Sequence, residues 1–252
     1  MAVLQRDFTA DQLQVVLKVN GVDRCVAVQA DPSEEETRFL LSLADTHDFI
    51  AGVVGWVDLC AQNASDRLEQ FARHPKFKGV RHLVQSEPDP DFMLRADFKR
   101  GIRALAALGL TYDLLVKPHQ MKAAIALVRA FPDQPFVLDH LGKPQSDKGL
   151  DQQWARELLE LAAHPNVYAK LSGLVTETKN FRFTRNQFKP ILDTALEAFG
   201  PDRLLFGSDW PVCLLATSYG EVLAMVKEFI AELSADQQAA ILGNNARYFY
   251  QL

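Results

Sequence analysis

The sequence is poor in the features that would tie it to a membrane, a nucleic acid or a redox centre. It has three cysteines in 252 residues. Cys25, Cys60 and Cys213 are an odd, scattered set without CxxC spacing, which reads as reduced thiols and excludes a cysteine-built metal cluster. No apolar run approaches the length of a membrane span. The opening MAVLQRDFTADQL lacks the apolar core of a signal peptide, so a cytoplasmic location is expected. Lys and Arg number 27 against 32 Asp and Glu, a net charge of -5. That balance offers no basic face for nucleic acid. Runs of like charge are equally scarce; the densest, Glu34-Glu35-Glu36, reads as the first turn of a helix. Neither GxGxxG nor GxxxxGK[ST] occurs, so no glycine-rich phosphate cradle is encoded. Without a Gly/Ser-rich linker or low-complexity stretch, residues 1–252 read as one domain whose partner is a small molecule.

What is present is a repeated β/α pattern. The apolar fraction is 48%, enough for a substantial core. β-rich runs occur at 24–30, 49–59, 79–84, 111–116, 135–142, 166–174 and 203–210. Several are continuously apolar rather than alternating, the pattern of parallel strands covered by helices. Helical segments between them carry start signals: Thr9 with Gln12, Ser33 with Glu36, and Ser234 with Gln237 fit the capping-box spacing. Gly21 follows the first helix as a C′ residue. Phe39, Leu40, Leu43 and Ala44 are expected on one buried face, as are Leu158, Leu159, Ala162 and Ala163. Loops are expected at 87–91, 142–149 and 175–183.

Polar residues gather at the C-terminal ends of these runs: Gln29 and Asp31, Trp56 and Asp58, Arg81, His82 and Gln85, Lys117 and His119, Asp139 and His140, Lys170 and Ser172, Asp209 and Trp210. In a parallel barrel all of them ring one mouth, where active sites are built. Alternation along a strand forbids Arg81 and His82 from both facing inward, and the same holds for Asp139 and His140 unless one lies in the loop. Asp31 and Asp58 read as helix or turn caps, and His47, His74 and His164 as surface residues. Asp209, at the end of "LLFGSDWPV", is the strongest candidate for a general base, and His82 and His140 join it as histidines able to polarise a carbonyl or shuttle a proton. A guanidinium such as Arg81 suits a substrate carboxylate or hydroxyls.

"FVLDHLGKP", "VYAKLSGL", "LLFGSDWPV" and "ILGNNARYFY" resemble the amidohydrolase superfamily, and more narrowly the amidohydrolase-related branch that includes sugar-lactone hydrolases. "ETRFLLSLADTHDFIAGVVGWVDL" and "KGVRHLVQSEPD" fit the same branch, so the resemblance covers nearly the whole chain. It implies a TIM-type (β/α)8 barrel and a lactone opened by activated water. By carry-over, Asp209 is the base or a metal ligand and His140 lies beside the scissile carbonyl. Arg81 and His82 become substrate contacts, Trp210 lines the pocket, and Lys117 and Ser172 contribute from their strand positions.

The family pattern opens with a strand ending in His-x-His, and this chain has no His-x-His. Seven β/α units are counted where a barrel has eight, so the expected fold is a barrel lacking its first strand. A truncated chain and a variant that closes its barrel otherwise, or as a homodimer, are both open. The resemblance implies at most one divalent metal, zinc. With His140 and Asp209 as the clear remaining donors, tight zinc binding is not expected, because zinc sites use three or four protein ligands. Two other functions stand beside the lactonase: a metal-dependent decarboxylase or other hydrolase acting on an aromatic or dicarboxylic acid, and an inactive remnant with a binding or structural role.

Overall fold

The computed structural model describes residues 2–147 and 149–252. Seven strands form one parallel sheet: β1 (Cys25–Val28), β2 (Ile50–Gly55), β3 (Phe77–His82), β4 (Thr111–Leu114), β5 (Phe136–Leu138), β6 (Val167–Leu171) and β7 (Leu204–Phe206). Each falls in, or within two residues of, an apolar run of the sequence, and their order in the sheet is their order in the chain. Helices follow or precede them: α1 (Ala10–Val19), α2 (Glu34–Thr46), α3 (Ala64–Ala72), α4 (Ala96–Ala107), α5 (Met121–Ala130), α6 (Gln152–Ala162), α7 (Lys189–Phe199), α8 (Tyr219–Phe229), α9 (Ala235–Ala239) and α10 (Asn245–Phe249). No helix among the described residues is long and apolar enough to cross a membrane.

The sheet curls. Arg81 on β3 reaches Asp139 just beyond β5, and Lys170 on β6 reaches Asp113 on β4. Such contacts across alternate strands require a concave face. On that face Val54, Val137 and Leu205 close a small inner core with Phe249 and Tyr250. A larger core, with Phe98, Tyr112, Phe136 and Trp154 among its members, fills the space between sheet and helices. Among the described residues the sheet stays open between β1 and β7, which are its two edges.

The helix starts carry the caps that their local sequences encode. Thr9 and Ser234 each make the reciprocal capping box with the glutamine three residues on, and the Ser33 side chain accepts from the Glu36 amide. Gly21 takes the left-handed conformation after α1, with φ 67°. The buried helix faces differ from expectation. In α2 the buried residues are Thr37, Leu41 and Ala44, whereas Phe39 is 55% exposed. In α6 Trp154, Leu158, Leu161 and Ala162 face inward and Leu159 faces solvent. Consecutive apolar residues straddle the edge of a helical stripe, and only the packed neighbour decides which of them is covered.

Candidate active site

The mouth at the C-terminal strand ends is assembled from the turns after β5, β6 and β7. After β5 the chain makes an unusual turn: His140, Leu141, Gly142 and Lys143 all have positive φ, between 52° and 69°. Three of these are not glycine, and such a run costs free energy that its surroundings must offset. They do so with specific bonds. The Trp154 indole N–H of α6 donates to the Leu141 carbonyl at 2.8 Å, and the Lys143 amide donates to the His140 carbonyl at 2.8 Å. Asp139, at the foot of the turn, is held by two cations: Arg81 Nη1 at 2.9 Å from Oδ2 and Lys170 Nζ at 2.7 Å from Oδ1. The turn resolves the alternation conflict, because Asp139 and His140 no longer obey strand geometry.

The His140 imidazole is fixed on one side and faces a carboxylate on the other. Its Nδ1 shares a hydrogen bond of 2.8 Å with Ser172 Oγ. Its Nε2 lies 3.8 Å from Asp209 Oδ1. The chain after β6 can press against the ring because residue 173 is glycine: a Cβ there would lie 2.6 Å from His140 Cγ, and its φ is 69°. Asp209 also has positive φ, 53°, and its side chain is 18% exposed. Trp210 stands beside it, its ring edge-on to Phe8 with centroids 5.3 Å apart.

Burial sets the charges. It pushes the Asp209 carboxyl up to about 6, opposed by the Lys143 and Arg81 charges. Burial pushes His140 down to about 3, against the pull of Asp139. At neutral pH the pair is therefore a carboxylate facing a neutral imidazole. Asp139 behaves oppositely: although burial alone would raise it, Lys170 and Arg81 hold it well below the usual carboxylate range. Lys170, which burial alone would depress, is held well above its ordinary value by Asp113 and Asp139.

The sequence candidates divide by position. His140, Asp209, Ser172 and Trp210 meet at the mouth. Arg81 faces inward and is engaged by Asp139 and by the Gln29 carbonyl. His82 points the other way, bonded to Glu87 at 2.7 Å and stacked on Phe92. Lys117 is exposed and starts a short turn after β4. Residues without a motif of their own complete the site. Lys143 and Glu177 form an ion pair of 2.7 Å, and both act on the Asp209 charge. Asp113 and Tyr250 lie deeper, on the inner face. A charged residue inside the apolar run TYDLLV was the available signal for Asp113.

His140 and Asp209 present two donors to a metal, and no group of three or more His, Cys, Asp or Glu able to hold an ion occurs among the described residues. A zinc site needs three or four protein ligands, so these residues do not by themselves fit one.

A profile of the amidohydrolase family matches residues 2–252. An L-fucono-1,5-lactonase of Burkholderia multivorans is 42% identical over 264 residues, spanning 100% of this chain and 88% of that protein. Its counterpart from Burkholderia ambifaria is 38% identical over 253 residues, spanning 99% and 87%. The crystal structure of an amidohydrolase from Burkholderia multivorans with bound zinc superposes with a TM-score of 0.95 at 42% identity, covering 100% of this chain and 91% of that one.

Proposed function

This chain belongs to the amidohydrolase family and is a hydrolase of the lactonase type, and we propose that it opens a small sugar-acid lactone with Asp209 as general base and His140 as electrophile. The seven strands are read as seven of the eight of a TIM-type barrel. The observation that carries the chemistry is the facing pair: a carboxylate raised to about 6, 3.8 Å from an imidazole kept neutral.

The roles follow from the protonation states. Above pH 6 Asp209 is ionised and can accept a proton from a water held against it. The water oxygen attacks the ring carbonyl carbon as Asp209 takes the proton. With the Ser172 hydroxyl donating to Nδ1, the His140 proton sits on Nε2 and points into the mouth. A neutral imidazole can stabilise the developing oxyanion by donating that proton as a hydrogen bond. Collapse breaks the ring carbon–oxygen bond, and the proton on Asp209 passes to the departing oxygen. The product is the open hydroxy acid, and Asp209 is again a carboxylate. No step passes through a metal.

Substrate hydroxyls are assigned to Lys143 and Glu177, a donor and an acceptor within electrostatic reach of Asp209, and the ring face to Trp210. Arg81 acts through Asp139 in this reading, while His82 and Lys117 lie outside the contacts. The two lactonases support a sugar-derived lactone as substrate. A panel of aldonolactones assayed by acid release tests the proposal: turnover is expected with at least one, and Asp209→Asn should lower it about 10²- to 10⁴-fold. An unchanged rate in that variant would remove Asp209 as the base. Carbon dioxide release from a preferred acid would replace the lactonase reading with a decarboxylase.

A further inference from the structure

A chain of buried charges runs through the inside of the curled sheet from the mouth to its opposite end. At the mouth Arg81 holds Asp139. Below, Lys170 Nζ bridges Asp139 Oδ1 at 2.7 Å and Asp113 Oδ2 at 2.5 Å. Further down, the Tyr250 hydroxyl donates to Asp113, 2.9 Å from Oδ2 and 3.2 Å from Oδ1. The Lys170 ammonium also lies 5.7 Å from the centre of the Tyr250 ring. Two cations and two carboxylates alternate, and a neutral phenol ends the series. Asp113 and Asp139 are at most 1% exposed, so no solvent compensates for a missing partner.

Residues 249–252 form the floor under this series. They lie by the starting ends of the strands: the Lys78 ammonium of β3 donates to the Gln251 carbonyl at 2.8 Å, and Leu252 packs where a Cβ on Gly52 would lie 2.9 Å from its side chain. Phe249 and Tyr250 pack with Val54, Val137 and Leu205. This packing fixes where the Tyr250 hydroxyl sits. Each bond above it then restricts the next: Asp113 places Lys170, Lys170 and Arg81 place Asp139, and Asp139 begins the strained turn that carries His140.

We infer that Tyr250 is a positioning residue for the reaction, acting from the far end of the barrel by anchoring the Asp113–Lys170–Asp139 series on which the His140 turn rests. The inference builds on the proposed lactonase site but makes a claim that can be read without substrate. A strained turn of four left-handed residues is held only as well as its foot is held. Loss of the phenol hydroxyl loosens that foot while leaving the ring in its apolar setting.

The test is Tyr250→Phe, which keeps the packing, with Asp113→Asn as a second variant and Tyr168→Phe as a control at the same end of the barrel. Backbone amide signals of His140, Leu141, Gly142 and Lys143 are followed by NMR beside lactone kinetics. The expected result is displaced turn signals and a kcat lowered about tenfold with KM unchanged, since a small misplacement of a reacting group is costly in rate. The control should match wild type in both. If Tyr250→Phe lowers only the melting temperature, with kcat and turn signals as in wild type, the inference is overturned. Failure of the wild-type protein on every lactone would instead overturn the proposed function, and the turn signals would still decide the role of Tyr250.

Discussion

The imidazole of His140 and the carboxyl of Asp209 face each other at 3.8 Å, and burial drives each toward its neutral form. The contact is therefore not an ion pair near neutral pH. An ion pair would keep His140 protonated and Asp209 strongly acidic, the opposite of what water activation needs. The burial that makes this site costly to ionise is what sets Asp209 where a general base operates.

The pH dependence of kcat/KM should show one ascending limb with a midpoint near 6, the value of the Asp209 carboxyl. Activity should be flat from about pH 7 upward in the range where no other group of the pair titrates. His140 contributes no limb there, being neutral down to about 3. Asp209→Asn should lose about 10²- to 10⁴-fold in kcat. Initial rates across a buffer series check both; a limb near 3 with none near 6 would move the base elsewhere.

Stability should respond to the same group in the opposite sense. The folded carboxyl of Asp209 is raised from 3.8 to about 6, so below about pH 3 its proton is bound in both folded and unfolded states. As pH rises from 4 through 6, the unfolded chain ionises first and folded stability falls. Asp209→Asn removes that penalty and should stabilise the protein at pH 8 by on the order of 1–3 kcal/mol, and at pH 4 by only about 0.5 kcal/mol. Urea denaturation at the two pH values measures it. Equal effects at both would mean the carboxyl is not raised.

Ser172→Ala should separate orientation from acid–base chemistry. It leaves the buried Nδ1 of His140 without its 2.8 Å partner, freeing the ring to change tautomer and tilt. A fall in kcat of about ten- to a hundredfold is expected, with the pH midpoint near 6 retained because Asp209 is untouched. Ser172→Thr, which restores a hydroxyl, should recover part of the loss. A shifted midpoint in Ser172→Ala would show that His140 itself carries the titration.

Lys170→Met should be among the most damaging single changes outside the mouth. It leaves Asp113 and Asp139, both buried, facing each other without the ammonium that bridges them. Removing one partner of a buried ion pair costs about 3–5 kcal/mol. Thermal and urea unfolding would register it. A variant as stable as wild type would mean that the carboxyls find other partners.

Much of this architecture is legible in the chain. Parallel strands buried on both faces must be nearly continuous in apolar residues, so runs such as FIAGVVGWVDL and RLLFGSDW announce strands unaided. Caps at Thr9, Ser33 and Ser234 are equally local, because each is closed by a residue three positions away. His140 and Asp209 are legible as candidates, since each is a polar residue at the end of an apolar run. The helix faces were less legible: Phe39 and Leu159 look like core residues beside true core residues, and only the packed sheet excludes them.

The sequence by itself determined the alternation of strand and helix, the end of the sheet at which the candidate residues gather, and the residue types that meet there. The tertiary structure alone decided which of them come into contact. Arg81 turned inward to Asp139 and His82 outward to Glu87, a choice of face that depends on strand register. Tyr250 reached Asp113 across 137 positions of sequence, and Lys170 reached it across 57. Such pairs leave no periodic trace, because they form only when the sheet curls and brings distant strands to a common interior. The charge states of Asp209 and His140 follow from the same cause: burial is a property of the folded neighbourhood, and no residue carries it alone.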